Sequence, residues 1–114
     1  MAKNAKAITD LRAAAARLRI GGLIDGMRHY GARMCALGAF ETRNDGGAEH
    51  DSPEALAALA AHIRRRDLDM WDTNVIANWS NAIARKTTPE RGAARVAGVM
   101  ERLADRLADR KSVV

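Results

Sequence analysis

The chain has 114 residues, a formal net charge of +5 and a hydrophobic fraction of 47%. This length gives one domain with a modest core. The aromatic fraction of only 4% favours packed helices over strands. No apolar run approaches the roughly 18 residues of a membrane span, and the single cysteine, Cys35, excludes an intrachain disulfide. We therefore expect a soluble, cytoplasmic protein without membrane contact.

The first half of the chain predicts two helices forming a helical hairpin over residues 1–40. Apolar residues recur at helical spacing from Ile8 to Leu18, and Gly21-Gly22 is a good stop signal. A second stripe from Leu23 to Leu37 has 4-3-4-3 spacing, which is again helical. Three glycines interrupt it, Gly26, Gly31 and Gly38. Because the apolar stripe is unbroken, we interpret these glycines as positions where another helix packs closely, although they would also weaken the helix.

The second half predicts three more helices after a polar loop over residues 41–51. Ser52-Pro53-Glu54 and Thr88-Pro89-Glu90 each combine a capping side chain, a first-turn proline and an acid at the positive end of the helix dipole. Asp69 is a candidate cap for the helix between them. No alternating apolar run predicts a strand. The expected fold is thus a single all-α domain over 1–114, with a three-helix segment over 52–110 and a frayed tail at 111–114.

The charge pattern points to nucleic acid. The isoelectric point is about 10.1, in the range typical of nucleic-acid-binding domains. Arginine dominates the 19 basic residues, because only Lys3, Lys6, Lys86 and Lys111 are lysines, and arginine suits phosphate best. Fourteen acidic residues are interleaved with them, so the only dense basic patch in the sequence is Arg64-Arg65-Arg66.

The fourth predicted helix has the layout of a DNA-reading helix. Its apolar stripe includes Trp71, Val75 and Trp79. The opposite side carries four polar residues in line, followed by Lys86: Asn74, Asn78, Asn81 and Arg85. Asparagine and arginine can each bond a base edge bidentately, and Arg64–Arg66 could hold phosphate. The alternative is that this face is only solvated or bonds a neighbouring helix.

A short stretch of this helix, Val75 to Trp79 with Arg85, resembles the second helix of repressor-type helix-turn-helix proteins. The resemblance implies a helix lying in the major groove. The connection over Asp67–Thr73 departs from that pattern, because it is longer than the usual tight turn.

Two further features could serve protein partners. The fifth predicted helix carries apolar residues at a/d-like spacing, which could form a dimer seam or cover the chain's own core: Val96, Met100, Leu103 and Leu107. Trp71 and Trp79 lie two turns apart on one face. Burial is their default, and exposure would indicate a protein-binding hot spot.

No catalytic or metal-binding pattern is present in the sequence. Gly21–Gly26 lacks the Lys-Ser/Thr end of a P-loop. The spacings of His29, Cys35, His50 and His62 match no zinc pattern. We therefore expect no cofactor, no metal and no enzymatic activity, unless Cys35 meets His29 or His62 in an open pocket.

Two functional hypotheses follow. The first is a small DNA-binding accessory or regulatory protein acting as a homodimer. The alternative is a protein-binding inhibitor or adaptor, such as a phage or mobile-element protein that blocks a host nucleic-acid-processing complex.

Overall fold

The computed structural model describes the backbone over residues 2–27, 29–44, 47–50, 53–64 and 72–112, and side chains over 5–27, 30–40, 53–64 and 73–109. Helices dominate this part of the chain, as predicted. It contains four α-helices: α1 (Ala2–Gly21), α2 (Pro53–Ile63), α3 (Asp72–Lys86) and α4 (Pro89–Ser112).

The long helices α1 and α4 form the main helix pair, with α2 and α3 packed on each other and α2 also against α1. Leu11 and Leu18 of α1 and Val96 and Met100 of α4 are fully buried in the core. Both helices also bury small side chains, which let the helix backbones come close: Ala14 and Ala15 of α1 and Ala93, Ala97 and Ala104 of α4.

Two predicted helix boundaries are confirmed, and each has the hydrogen bond expected of its capping residue. The backbone N–H of Arg91 donates to Oγ1 of Thr88 at 3.2 Å, so Thr88 caps α4 before Pro89. At the end of α1, Gly22 has φ of +93° and its N–H donates to the carbonyl of Leu18 at 2.8 Å. This is the left-handed glycine that ends many helices.

The predicted second helix is wrong. The backbone over 22–34 instead forms a short ladder, in which Ile24 N–H donates to the Met34 carbonyl and Met34 N–H to the Gly22 carbonyl, both at 3.0 Å. Strands β1 (His29–Tyr30) and β2 (Arg33–Met34) pair antiparallel. A 3₁₀ helix then spans Gly38–Phe40. The described part of the chain therefore contains four α-helices, where the sequence predicted five.

The glycines explain this difference. Gly26 and Gly31 have φ of +85° and +61°, values that a right-handed helix excludes. A Cβ built on either would meet nothing within 4 Å, so neither residue allows a close approach between helices. The close approaches lie elsewhere. A Cβ on Gly21 would collide with the carbonyl oxygen of Ala32, and one on Gly92 would lie 2.7 Å from Cδ2 of Leu23.

The predicted loop over 41–51 also contains regular structure. Strands β3 (Glu41–Asn44) and β4 (Gly47–His50) pair antiparallel, with Glu41 opposite His50 and Asn44 opposite Gly47. The sequence between them is Asp45-Gly46, a dipeptide favoured in hairpin turns. This dipeptide is the local signal in the sequence for the hairpin.

No helix among the described residues has both the length and the apolar character to cross a membrane.

Candidate nucleic-acid interface

The polar face predicted on the fourth helix lies on α3, opposite its buried side. Ile76 and Ser80 are fully buried. Four of the predicted contact residues are exposed, Asn74, Asn78, Arg85 and Lys86, while Asn81 is half-buried. The face therefore exists, and the side chains at its two ends reach solvent.

Part of this face is occupied by the chain itself. The backbone N–H of Gly26 donates to Oδ1 of Asn81 at 3.0 Å. Nε of Arg85 donates to Oδ2 of Asp25 at 3.2 Å. These two contacts hold the segment that follows α1 against α3, so Asn81 and Arg85 have a structural role, which was one of the alternatives left open by the sequence.

The other predicted positions are only partly described. Arg64 is half-buried just after α2. Trp79 is partly buried and packs against the core, as its stripe predicts. Several predicted positions lie outside the described residues: Ser52, Arg65, Arg66, Asp69, Trp71 and the last two residues of the tail.

The proposed dimer seam lies in the chain's own core. Val96 and Met100 are fully buried, and Leu103 and Leu107 are 6% and 8% exposed. Packing within one chain therefore accounts for the a/d-like spacing of these residues without a second copy.

The feature that sequence reasoning missed is on the opposite side of the same helix. Four arginines of α4 recur at 4-7-4 spacing, and all four are exposed: Arg91, Arg95, Arg102 and Arg106. This spacing places them along one face of a helix. At 1.5 Å per residue the row is about 22 Å long. We refer to these four residues as the arginine stripe.

Two acids beside the arginine stripe are paired with α1 instead. Asp105 Oδ1 accepts a bond from Nη2 of Arg12 at 3.0 Å. The carboxylate of Glu101 accepts two bonds from Arg19, at 2.9 and 2.7 Å. The α1 arginines therefore offset the negative charge of Glu101 and Asp105. The face with the four arginines also carries one exposed acid, Asp109, so its net charge stays positive.

The Arg19–Glu101 pair is also the clearest electrostatic contact of the described residues. The hydrogen bonds from Arg19 lower the pKa of Glu101 below its ordinary value, and those same bonds raise the pKa of Arg19. Both side chains remain about 40% exposed or more, so solvent screens the pair and its contribution to stability is modest.

A cavity of about 210 Å³ lies between α3 and the segment that joins α1 to the 3₁₀ helix. Cys35 lines it but is buried, and its Sγ accepts a hydrogen bond from Gly38 N–H at 3.5 Å. Oγ of Ser80 accepts one from Ala36 N–H at 3.0 Å, which fixes this segment to α3.

The structure does not bring Cys35 and His62 together. His62 lies on α2 and lines a different cavity, between α2 and α4. The side chains of His29 and His50 are not among the described ones. Among those that are described, no three His, Cys, Asp or Glu residues are arranged to hold a metal ion.

Comparison with known proteins gives no relative. No family model, no curated protein and no solved structure matches this chain.

Proposed function

We propose that this chain is a cytoplasmic DNA-binding accessory or regulatory protein whose arginine stripe contacts backbone phosphates. The observation that carries the proposal is the row of four exposed arginines on α4, whose flanking acids Glu101 and Asp105 are engaged by α1. Guanidinium groups bind phosphate bidentately. Each phosphate that they neutralise releases condensed counterions, which provides affinity for any DNA sequence.

In this proposal, exposed residues of α3 add to the contact surface. Lys86 ends α3 three residues before Pro89 begins α4, so it is close in the chain to Arg91. Asn74 and Asn78 are exposed on the polar side of α3 and have the chemistry for contacts with bases. In this proposal phosphate binding is the main source of affinity, and the α3 residues add what selectivity there is.

The proposal requires no dimer. Burial of Val96, Met100, Leu103 and Leu107 in the chain's own core removes the reason for placing a dimer interface there. A homodimer remains compatible with DNA binding through some other surface.

The second candidate is the protein-binding inhibitor or adaptor, of the kind that mobile elements direct at host nucleic-acid machinery. One observation favours it: Ile20 is 88% exposed and Tyr30 is 64% exposed. Exposed large apolar side chains are common in protein-binding sites. A partner of this kind would present an acidic surface to the arginine stripe.

Fluorescence anisotropy with a labelled DNA duplex at low salt tests the leading proposal. The variant R95Q/R102Q removes two charges from the arginine stripe. The control K6Q/R17Q removes two charges from α1, at side chains that bond Asp10 and the Ala39 carbonyl and not the acids beside the stripe. We expect the first variant to lose about tenfold or more in affinity and the second to change little, since each lost phosphate contact weakens binding to all sequences.

Equal losses in the two variants would show that net charge alone causes binding and would contradict the proposed interface. Absence of DNA binding by the unmodified chain at low salt, together with a stable complex with one host protein, would favour the second candidate.

A further inference from the structure

The cavity beside α3 has a lining suited to an uncharged ligand. Its lining contains no Asp, Glu, Lys, Arg or His, and it combines polar and apolar side chains. The lining residues are Gly26, Met27, Cys35, Leu37, Thr73, Asn74, Ala77 and Asn81. With a volume of about 210 Å³, it lies below the ~300–1,000 Å³ typical of sites for drug-sized ligands. A ligand of one or two rings is the size that it can take.

The side-chain amides of Asn74 and Asn81 provide hydrogen-bonding groups on one side of the cavity. Oδ1 of Asn81 accepts the bond from Gly26 N–H, so the NH₂ group of Asn81 is the part that can donate to a ligand. Asn74 is exposed and offers both a donor and an acceptor. Thr73 adds a hydroxyl beside them. A planar ligand with alternating donors and acceptors on its edge matches this set.

The apolar side of the cavity suits the face of such a ring. Ala77 and Leu37 provide apolar walls, and Met27 is 48% exposed beside them. A methionine thioether makes favourable contacts with aromatic rings and adapts its shape to them. Charged ligands fit less well, because no lining side chain offers an opposite charge.

We propose that this cavity holds one unpaired nucleobase, so that the protein prefers single-stranded or locally unpaired DNA. The inference rests on the proposed function, since the phosphates of the bound strand would contact the arginine stripe. A base in a paired duplex cannot enter a cavity of this kind, whereas an unpaired base exposes its whole edge to hydrogen bonding.

Two single-stranded oligonucleotides of equal length and charge test the inference, one with bases and one with abasic sugars throughout. We expect the abasic strand to bind about tenfold more weakly. The variant Ala77→Leu fills the cavity without changing the charge, and it should bind both strands with the weaker affinity. Ala57→Leu, at an exposed position of α2, is the matched control and should retain the tenfold difference. If Ala77→Leu does not fold, Asn74→Ala at its exposed position replaces it, with the same expected reduction of the difference.

The four 2′-deoxynucleosides separate this inference from the proposed function, because they carry no phosphate. On titration we expect at least one of them to shift the NMR signals of the Gly26 backbone amide and the Asn81 side-chain amide. If the two strands bind equally and no nucleoside shifts these signals, while DNA binding remains salt-dependent, the cavity inference is overturned and the phosphate-binding proposal stands. If no DNA binds at any salt concentration, both fail.

Discussion

Replacement of Gly31 by alanine distinguishes the observed turn from the helix that the sequence predicts. In a helix interior, Gly→Ala stabilises a protein by about 1 kcal/mol. In the structure Gly31 has φ of +61°, and an added Cβ meets nothing within 4 Å. The effect is therefore purely a backbone effect. A left-handed conformation of alanine destabilises the folded state by about 1–2 kcal/mol. The reduced entropy of the unfolded chain offsets about 0.4–1 kcal/mol of this.

We therefore expect Gly31→Ala to destabilise the protein by about 1 kcal/mol, which lowers Tm by about 4 °C for a domain of this size. Gly98→Ala is the matched control, because Gly98 lies inside α4 and the nearest atom to its added Cβ is Nη1 of the flexible Arg102 side chain at 3.2 Å. That variant should raise Tm by a similar amount. Urea denaturation gives the free energies, and calorimetry gives Tm. A rise in Tm for Gly31→Ala would refute the turn and favour the helix.

Three further predictions concern the core and the helix pair. Ser80→Ala should destabilise the fold by about 1–3 kcal/mol in urea denaturation, because it leaves the buried Ala36 N–H without its acceptor; an unchanged midpoint would contradict that contact. Met100→Ala should lower the free energy of unfolding by about 2–5 kcal/mol. It should not alter the mass measured by light scattering, since Met100 is buried within one chain; a variant with half the mass of the unmodified protein would instead support the dimer seam. Glu101→Gln should cost at most about 1 kcal/mol at pH 7. Because Arg19 lowers the pKa of Glu101 in the folded state, the pair stabilises the fold above the unfolded carboxyl pKa of about 4.3 and this contribution disappears as the pH falls. Denaturation series should therefore converge for the variant and the unmodified protein near pH 3, and a constant difference at all pH values would exclude the pair as the cause.

Helix boundaries with local signals could be read from the sequence. Thr88-Pro89 begins α4 and Gly21-Gly22 ends α1, because capping bonds and left-handed glycines depend only on neighbouring residues. The buried side of α3 could also be predicted from the sequence, since Ile76 and Trp79 follow one helical stripe.

The segment after α1 could not be assigned from periodicity. Leu23 to Leu37 has helical spacing, but the backbone of Leu23 donates to the carbonyl of Pro89 at 3.0 Å, a contact between residues far apart in the chain. Tertiary bonds of this kind outweigh a weak local preference, and the glycines Gly26 and Gly31 had already weakened the helical one.

Only part of the candidate interface could be predicted from the sequence. The spacing of Arg91, Arg95 and Arg102 is present in the sequence, but acidic residues are interleaved with these arginines. That Asp105 and Glu101 are paired with α1 depends on how α1 packs against α4, which no single-helix pattern reveals.

The central claim is that the arginine stripe binds DNA phosphates, and the salt dependence of the association constant tests it most directly. Each phosphate contact contributes about −0.9 to the slope of log K against log salt for duplex DNA. We expect the unmodified protein to give a steep negative slope, and R91Q/R95Q/R102Q/R106Q to give one shallower by about 3–4, since four contacts at about 0.9 each are removed. A slope near zero for the unmodified protein, or the same slope for both proteins, would contradict the claim.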